Sequence, residues 1–141
     1  MYYYKSEKEA AYWALKELEW KLPATPTAAT EVPEWGTVIF RWADPGEGGY
    51  RYAFQRIYPA IRTDGHWQPL DGIPKGTEEW AFAHTHPNNS YFSSTDTKTA
   101  KSHPTTMYMV NRTGAYWYDG RTEYLAPSAR HGLFWGKYPS R

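Results

Sequence analysis

Two histidines stand one residue apart in the segment AHTHPNNSYFSSTD, which runs from Ala83 to Asp96. The residues before them are aromatic or small and apolar, a composition typical of a β-strand. Successive strand side chains point to opposite faces, so His84 and His86 would share one face, about 6–7 Å apart along the strand. Pro87 cannot continue a hydrogen-bonded ladder, which places His86 at the carboxyl end of that strand. A catalytic metal ion needs such a position, because one of its coordination sites must stay open to water.

The second half of the segment supplies a carboxylate and a hydroxyl. Asp96 lies ten residues after His86, and the turn between them could return its carboxylate to the same ion. Two imidazoles and one carboxylate form a ligand set typical of hydrolytic zinc, and Ser93 could donate a hydrogen bond into the same cleft. In the competing interpretation, Ser93-x-x-Asp96 is an ordinary helix N-terminus and the histidines bond locally. The combination of both motifs in a strand–loop–helix context favours the metal site.

The surrounding sequence predicts an α/β domain with one mixed sheet and two helices packed on it. Ser6-Glu7-Lys8-Glu9 has the form of a capping box and precedes an amphipathic helix of about four turns. The predicted elements are this helix, which ends before Pro23, strands at 36–43 and 50–56, a strand at 78–86, a helix within 93–102, and strands at 106–111 and 115–119. Turn residues across 57–77 predict mostly irregular structure there, and the last twenty residues hold more turns and a small aromatic cluster at 133–135.

The composition excludes several classes of protein. The 141 residues suffice for one domain, which we take as 1–141. With 16 Lys and Arg against 15 Asp and Glu, the charge balance does not favour a nucleic-acid partner. The absence of cysteine excludes disulfides, thiolate zinc ligands and a cysteine nucleophile. No apolar run approaches the ~20 residues of a membrane span, and the N-terminus becomes charged too early for a secretory signal.

The site residues resemble the signature of the JAB/MPN (JAMM) metalloproteases, in which His-x-His-Pro is followed by Ser-x-x-Asp. HTHP at residues 84–87, Ser93 and Asp96 match that signature position by position. Six residues separate His86 from Ser93, one fewer than in the common pattern, which shortens the loop beside the metal. The resemblance implies a cytidine-deaminase-like α/β fold, one Zn²⁺ held by His84, His86 and Asp96, and hydrolysis of a peptide or isopeptide bond.

The resemblance also implies a catalytic glutamate just before the first strand. EWGTVIF, from Glu34 to Phe40, is similar to that element and makes Glu34 the expected base, with Glu31 as its competitor. A zinc-activated water requires a base that takes its proton and passes it to the leaving amine. Ser93 would donate a hydrogen bond to the developing oxyanion.

Beyond the site, YKSEKEAAYWAL and MYMVNRTGAYWYDG resemble one particular JAB-like branch. This branch is the uncharacterised domain at the C-termini of Rhs-type polymorphic toxins and related bacterial secreted proteins. The resemblance covers roughly residues 4–120. It implies a protein or peptide substrate, a cognate immunity protein as partner, and synthesis in the cytoplasm followed by delivery within a secreted effector.

Two other functions compete with the hydrolase. The 8 Trp and 13 Tyr could form a stacking platform of a glycan- or peptide-binding module, although large rings also serve as core residues. A metal-dependent nuclease toxin is the third candidate, and the near-neutral charge argues against it because phosphate recognition usually brings a basic patch.

Overall fold

The helix-like and strand-like segments assemble into a helix packed on a mixed β-sheet. A computed structural model of the chain describes residues 3–28, 32–44, 46, 49–59, 73–88, 98, 106–118 and 122–127, the last range by its backbone alone. The elements are α1 (Glu7–Glu19), β1 (Trp35–Ala43), β2 (Tyr50–Phe54), β3 (Tyr58–Pro59), β4 (Glu78–Thr85), β5 (Thr106–Asn111), β6 (Gly114–Tyr118) and β7 (Thr122–Pro127).

Helix α1 begins and ends as its sequence predicts. The Oγ atom of Ser6 accepts a hydrogen bond from the backbone N–H of Glu9 at 3.1 Å, which satisfies one of the free amides at the helix N-terminus. The helix ends at Glu19, before Pro23. Its apolar side chains are fully buried against the sheet: Ala10, Ala11, Ala14, Leu15 and Leu18.

The described strands form one sheet in the order β2-β1-β4-β5-β6-β7, and β3 pairs with the start of β1. Strands β4 and β5 are parallel, whereas the other described pairs are antiparallel. A parallel pair needs a long crossover connection, which is commonly helical. The predicted second helix falls in this crossover. Lys98 is helical, and the rest of that predicted helix lies outside the described residues.

The two faces of the sheet carry different cores, as strand alternation requires. On one face, Ala81 and Ala83 of β4 pack with α1. On the other, Phe82 packs with a second apolar cluster. The members of that second cluster are Val38, Tyr58, Phe82, Met107 and Tyr118. The alternation predicted for β4 is therefore confirmed, and its histidine-bearing face is the one turned away from α1.

The predicted mixed α/β sheet and both predicted hairpins, β1–β2 and β5–β6, are confirmed. Two strands were not predicted. Residues 58 and 59 form β3, and the last twenty residues contain β7. The two-residue β3 pairs with the start of β1, and β7 pairs with β6. Each of the two strands ends in a proline, which weakens its strand signal in the sequence.

Candidate functional site

His84 and His86 converge on one point at the carboxyl end of β4. Their Nε2 atoms lie 2.9 Å apart, and both residues are buried, with exposures of 0% and 3%. The ring planes are tilted by 57° at a centroid separation of 4.7 Å. The side chains thus come much closer than the strand spacing between their backbones, because the rings lean towards each other.

This separation suits two kinds of interaction. An N–H···N hydrogen bond between neutral imidazoles fits it, with the tautomers deciding which ring donates. A metal ion bound by both Nε2 atoms fits this separation nearly as well. In tetrahedral zinc sites with Zn–N distances of about 2.0–2.1 Å, two ligand nitrogens lie about 3.3 Å apart. A small opening of the two rings would therefore let both nitrogens of this buried pair bind one zinc ion.

Backbone pairing with β5 fixes the position of His86 beyond the end of β4. Its N–H donates to the carbonyl oxygen of Val110 at 3.0 Å, which continues the parallel ladder by one residue. Pro87 follows, is buried, and accepts a hydrogen bond through its carbonyl oxygen from the N–H of Thr27 at 2.9 Å. The segment after α1 therefore runs along the edge of the sheet where the histidines lie.

Strand register brings Glu34 to the same edge. Gly36 pairs with His84 in the antiparallel β1–β4 ladder, so extending that register by two residues sets Glu34 opposite His86. The carboxylate Oε2 lies 3.8 Å from Nε2 of His86, and the Glu34 side chain is 19% exposed. This distance exceeds a direct hydrogen bond. The carboxylate therefore lies beside the histidine pair with access to solvent, as a base acting on a nearby water must.

The structure brings together three of the five predicted site residues: His84, His86 and Glu34. The other two, Ser93 and Asp96, lie outside the described residues, as does Glu31. Within the described part of the chain, no set of three His, Cys, Asp or Glu residues has the arrangement of a metal site. Completion of the zinc ligand set by Asp96 remains a prediction from the sequence.

Two residues at this edge were missed by sequence reasoning. Thr85, between the histidines, accepts a hydrogen bond at Oγ1 from the backbone N–H of Trp35 at 2.9 Å. Asn111 is fully buried, and its Oδ1 accepts hydrogen bonds from the backbone N–H groups of Thr113 and Gly114 at 2.8 and 3.2 Å. Asparagine followed closely by glycine is a turn signal that could have identified Asn111, whereas the partner of Thr85 lies fifty residues away in sequence.

A different surface lies at the opposite end of β1. A shallow cleft of about 390 Å³ is lined by Phe40, Trp42, Ala43, Lys75, Gly76 and Thr77. The turn that carries Lys75 is held by Thr77, whose N–H and Oγ1 both donate to the Pro74 carbonyl oxygen at 3.2 and 2.6 Å. Gly76 has φ +85°, the left-handed value that this turn requires and that glycine adopts without strain.

Comparisons with known proteins do not identify the chain. No protein-family model, curated protein or solved structure matches it. In the described part of the structure, no helix is both long and apolar enough to cross a membrane. The assignment of a function therefore depends on the geometry of the site and on the residue pattern around it.

Proposed function

We propose that the protein is a zinc-dependent hydrolase of JAMM type that cleaves a peptide or isopeptide bond. One observation carries the proposal: a buried pair of histidine Nε2 atoms 2.9 Å apart, with the Glu34 carboxylate 3.8 Å from one of them. Burying two imidazoles without function gains little, because their polar atoms lose hydration. A site that places titratable groups together in this way is a candidate for catalysis.

In this proposal, His84 and His86 bind zinc through their Nε2 atoms and Asp96 supplies the third ligand. When bound there, zinc makes a water molecule acidic near neutral pH and polarises a carbonyl oxygen. Burial of both histidines excludes bulk solvent from the ligand side of the site. The Glu34 side chain is 19% exposed and is therefore accessible to solvent and to a substrate.

The remaining roles belong to Glu34 and Ser93. Glu34 takes the proton from the attacking water and delivers it to the leaving amine, an effect worth roughly 10²–10⁴-fold in rate. Ser93 donates a hydrogen bond to the developing oxyanion, and loss of an oxyanion donor costs about 3–4 kcal/mol in a serine protease. Both roles follow from the resemblance to the JAMM signature, and the position of Glu34 beside His86 supports the first.

The mixed sheet with an N-terminal helix is compatible with a JAB/MPN, cytidine-deaminase-like fold, which we propose for this domain. We also propose that it acts as a bacterial toxin or effector domain with a cognate immunity protein, as its resemblance to the Rhs-associated branch implies. Expression in a bacterial host should then slow growth, and Glu34→Gln should relieve the effect. Equal growth with both proteins would argue for a processing enzyme instead.

Zinc quantitation combined with a proteomic screen for cleaved peptides tests the hydrolase. Wild type should carry one zinc ion per chain and generate new peptide termini, whereas Glu34→Gln should keep the zinc and lose the cleavage. Glu31→Gln is the matched control and should cleave as wild type does. Loss of cleavage in Glu31→Gln, with turnover retained in Glu34→Gln, would reassign the base. Absence of zinc from the wild type would refute the metal site.

The cleft at Phe40 and Trp42 supports one alternative, a non-catalytic glycan- or peptide-binding module. The two rings stack at a centroid distance of 5.9 Å, and Lys75 also lines the cleft. Such a module would bind without turnover, and chelation of zinc would leave its binding intact. Loss of binding on chelation would exclude this alternative.

A further inference from the structure

Thr85 differs from its two neighbours in the direction of its side chain. Strand alternation turns it away from the histidine face, and it is 1% exposed. It cannot therefore touch a substrate or a metal ion held between His84 and His86. Its Oγ1 instead accepts a hydrogen bond from the backbone N–H of Trp35, the residue directly after Glu34.

This hydrogen bond lies where the β1–β4 ladder ends. The register that pairs Gly36 with His84 sets Trp35 opposite Thr85, so a side-chain oxygen takes the place of the next backbone acceptor. On the other side of β1, Trp35 lies opposite Pro59 of β3. The Thr85 hydroxyl is thus a specific anchor for the backbone at the start of β1.

We propose that Thr85 is a positioning residue for Glu34. By holding the N–H of Trp35 at 2.9 Å, it fixes the peptide unit that joins Trp35 to Glu34 and so keeps the carboxylate beside His86. The idea rests on the proposed function, in which Glu34 acts as the base. A misplacement of about 1 Å at a reacting group can cost ~10²-fold in rate, so an anchor one residue from the base matters for turnover.

Three variants separate positioning from stability. Thr85→Val keeps the shape of the side chain and removes the acceptor, and Thr85→Ser keeps the hydroxyl. Thr37→Val is the matched control, because Thr37 is also fully buried and its Oγ1 donates to the Gln55 carbonyl oxygen at 2.7 Å. Thr37→Val loses a buried hydroxyl hydrogen bond on the neighbouring strand β1 without releasing the residue next to Glu34.

The first readout needs neither zinc nor activity. In the metal-free protein, the Trp35 amide of Thr85→Val should exchange with solvent about three- to ten-fold faster than in wild type. The NMR order parameter of the Glu34 backbone should fall below the ~0.85 of a rigid chain. Thr85→Ser and Thr37→Val should leave both values unchanged. Unchanged Trp35 exchange and Glu34 order in Thr85→Val would overturn the proposal.

The second readout is turnover by the zinc-loaded enzyme. Thr85→Val should lower kcat about ten- to a hundred-fold with KM and zinc stoichiometry unchanged, Thr85→Ser should restore it, and Thr37→Val should resemble wild type. In a Glu34→Gln background, Thr85→Val should lower the residual rate no further. Loss of zinc from Thr85→Val, or an equal fall in Thr37→Val, would contradict a role through Glu34.

The two readouts distinguish failure of this inference from failure of the proposed function. A wild type without hydrolytic activity would refute the hydrolase, yet the NMR measurements would still decide whether Thr85 holds Glu34 in place. If Thr85→Val does not fold, Thr85→Ala removes the same acceptor with less bulk and is measured in the same way.

Discussion

At the start of β1, Glu34 faces a buried histidine pair, whereas near the end of the same strand Arg41 is fully engaged by its neighbours. The Arg41 guanidinium lies over the rings of Trp80 and Tyr50, 3.2 and 3.7 Å from their centroids, and its Nε donates to Glu78 at 2.6 Å. Both ends of the β1–β4 pair thus concentrate polar groups. They differ in what surrounds those groups.

The Arg41 end has the features of a structural cluster. Its cation has a carboxylate partner and two aromatic faces, and the Glu78 side chain is about half exposed at 53%. Charges that are paired and stacked in this way stabilise a surface but are poorly available for binding a substrate or transferring a proton. At the Glu34 end, two imidazoles are buried against each other and the nearby carboxylate stands 3.8 Å away. Imidazole and carboxylate groups brought together in this way are suited to binding an ion and moving a proton.

The largest expected difference between the two ends is in zinc binding. His84→Ala removes one of the two buried nitrogens and should reduce bound zinc from one ion per chain to background, with complete loss of hydrolysis. Arg41→Met, at the other end of the strand pair, should retain full zinc. Elemental analysis of both purified variants checks this. If His84→Ala and wild type bind the same amount of zinc, the metal site lies elsewhere. If neither binds zinc, the protein has no zinc site.

Sequence reasoning could predict the histidine pair because its geometry is local. Alternation along one strand puts His84 and His86 on one face, and Pro87 ends that strand, whatever the neighbouring strands are. The parallel partner β5, which holds the backbone of His86 through Val110, depends on the crossover connection and carries no local signal.

The contacts of Glu34 and Thr85 could not be predicted from the sequence alone. Glu34 could be proposed from its place before an apolar strand, but its distance from His86 depends on the β1–β4 register, which includes a register shift between Ile39 and Phe40. The hydroxyl of Thr85 meets the backbone of Trp35 only in that register. Contacts between residues about fifty positions apart are decided by tertiary pairing, so they could not be read from either segment alone.

Tyr58 lies at the Glu34 end of β1, and its burial predicts a pH-dependent stability of the fold. It pairs with Gly36 at the start of β1 and packs with Val38 and Phe82. Burial, with a smaller contribution from the negative charge of Glu79, raises its pKa from 10.0 to about 12. The folded state therefore favours the neutral phenol. The stability this provides is fully present below pH 10 and is lost as the pH rises from 10 through about 12.

Tyr58→Phe should remove this component. Between pH 9 and pH 12, the free energy of unfolding of wild type should fall by about 2 kcal/mol more than that of the variant. Urea unfolding at a series of pH values measures the difference. Tyr12, whose pKa burial also raises, titrates in both proteins and cancels. Parallel pH profiles would show that the Tyr58 phenol ionises as it does in the unfolded chain.

The smallest expected effect lies at the Arg41 end. Arg41→Met should lower the free energy of unfolding by about 1–2 kcal/mol, because it removes two cation–π contacts and an ion pair. Glu78→Gln should cost less, about 0.5 kcal/mol, since it removes the half-exposed ion pair and leaves the guanidinium on both rings. Arg41→Lys should behave like Arg41→Met more than like wild type, because an ammonium lacks the planar face that stacks on Trp80. Urea denaturation ranks the three variants, and a Glu78→Gln cost as large as that of Arg41→Met would show that the ion pair, and not the stacking, stabilises this end of the sheet.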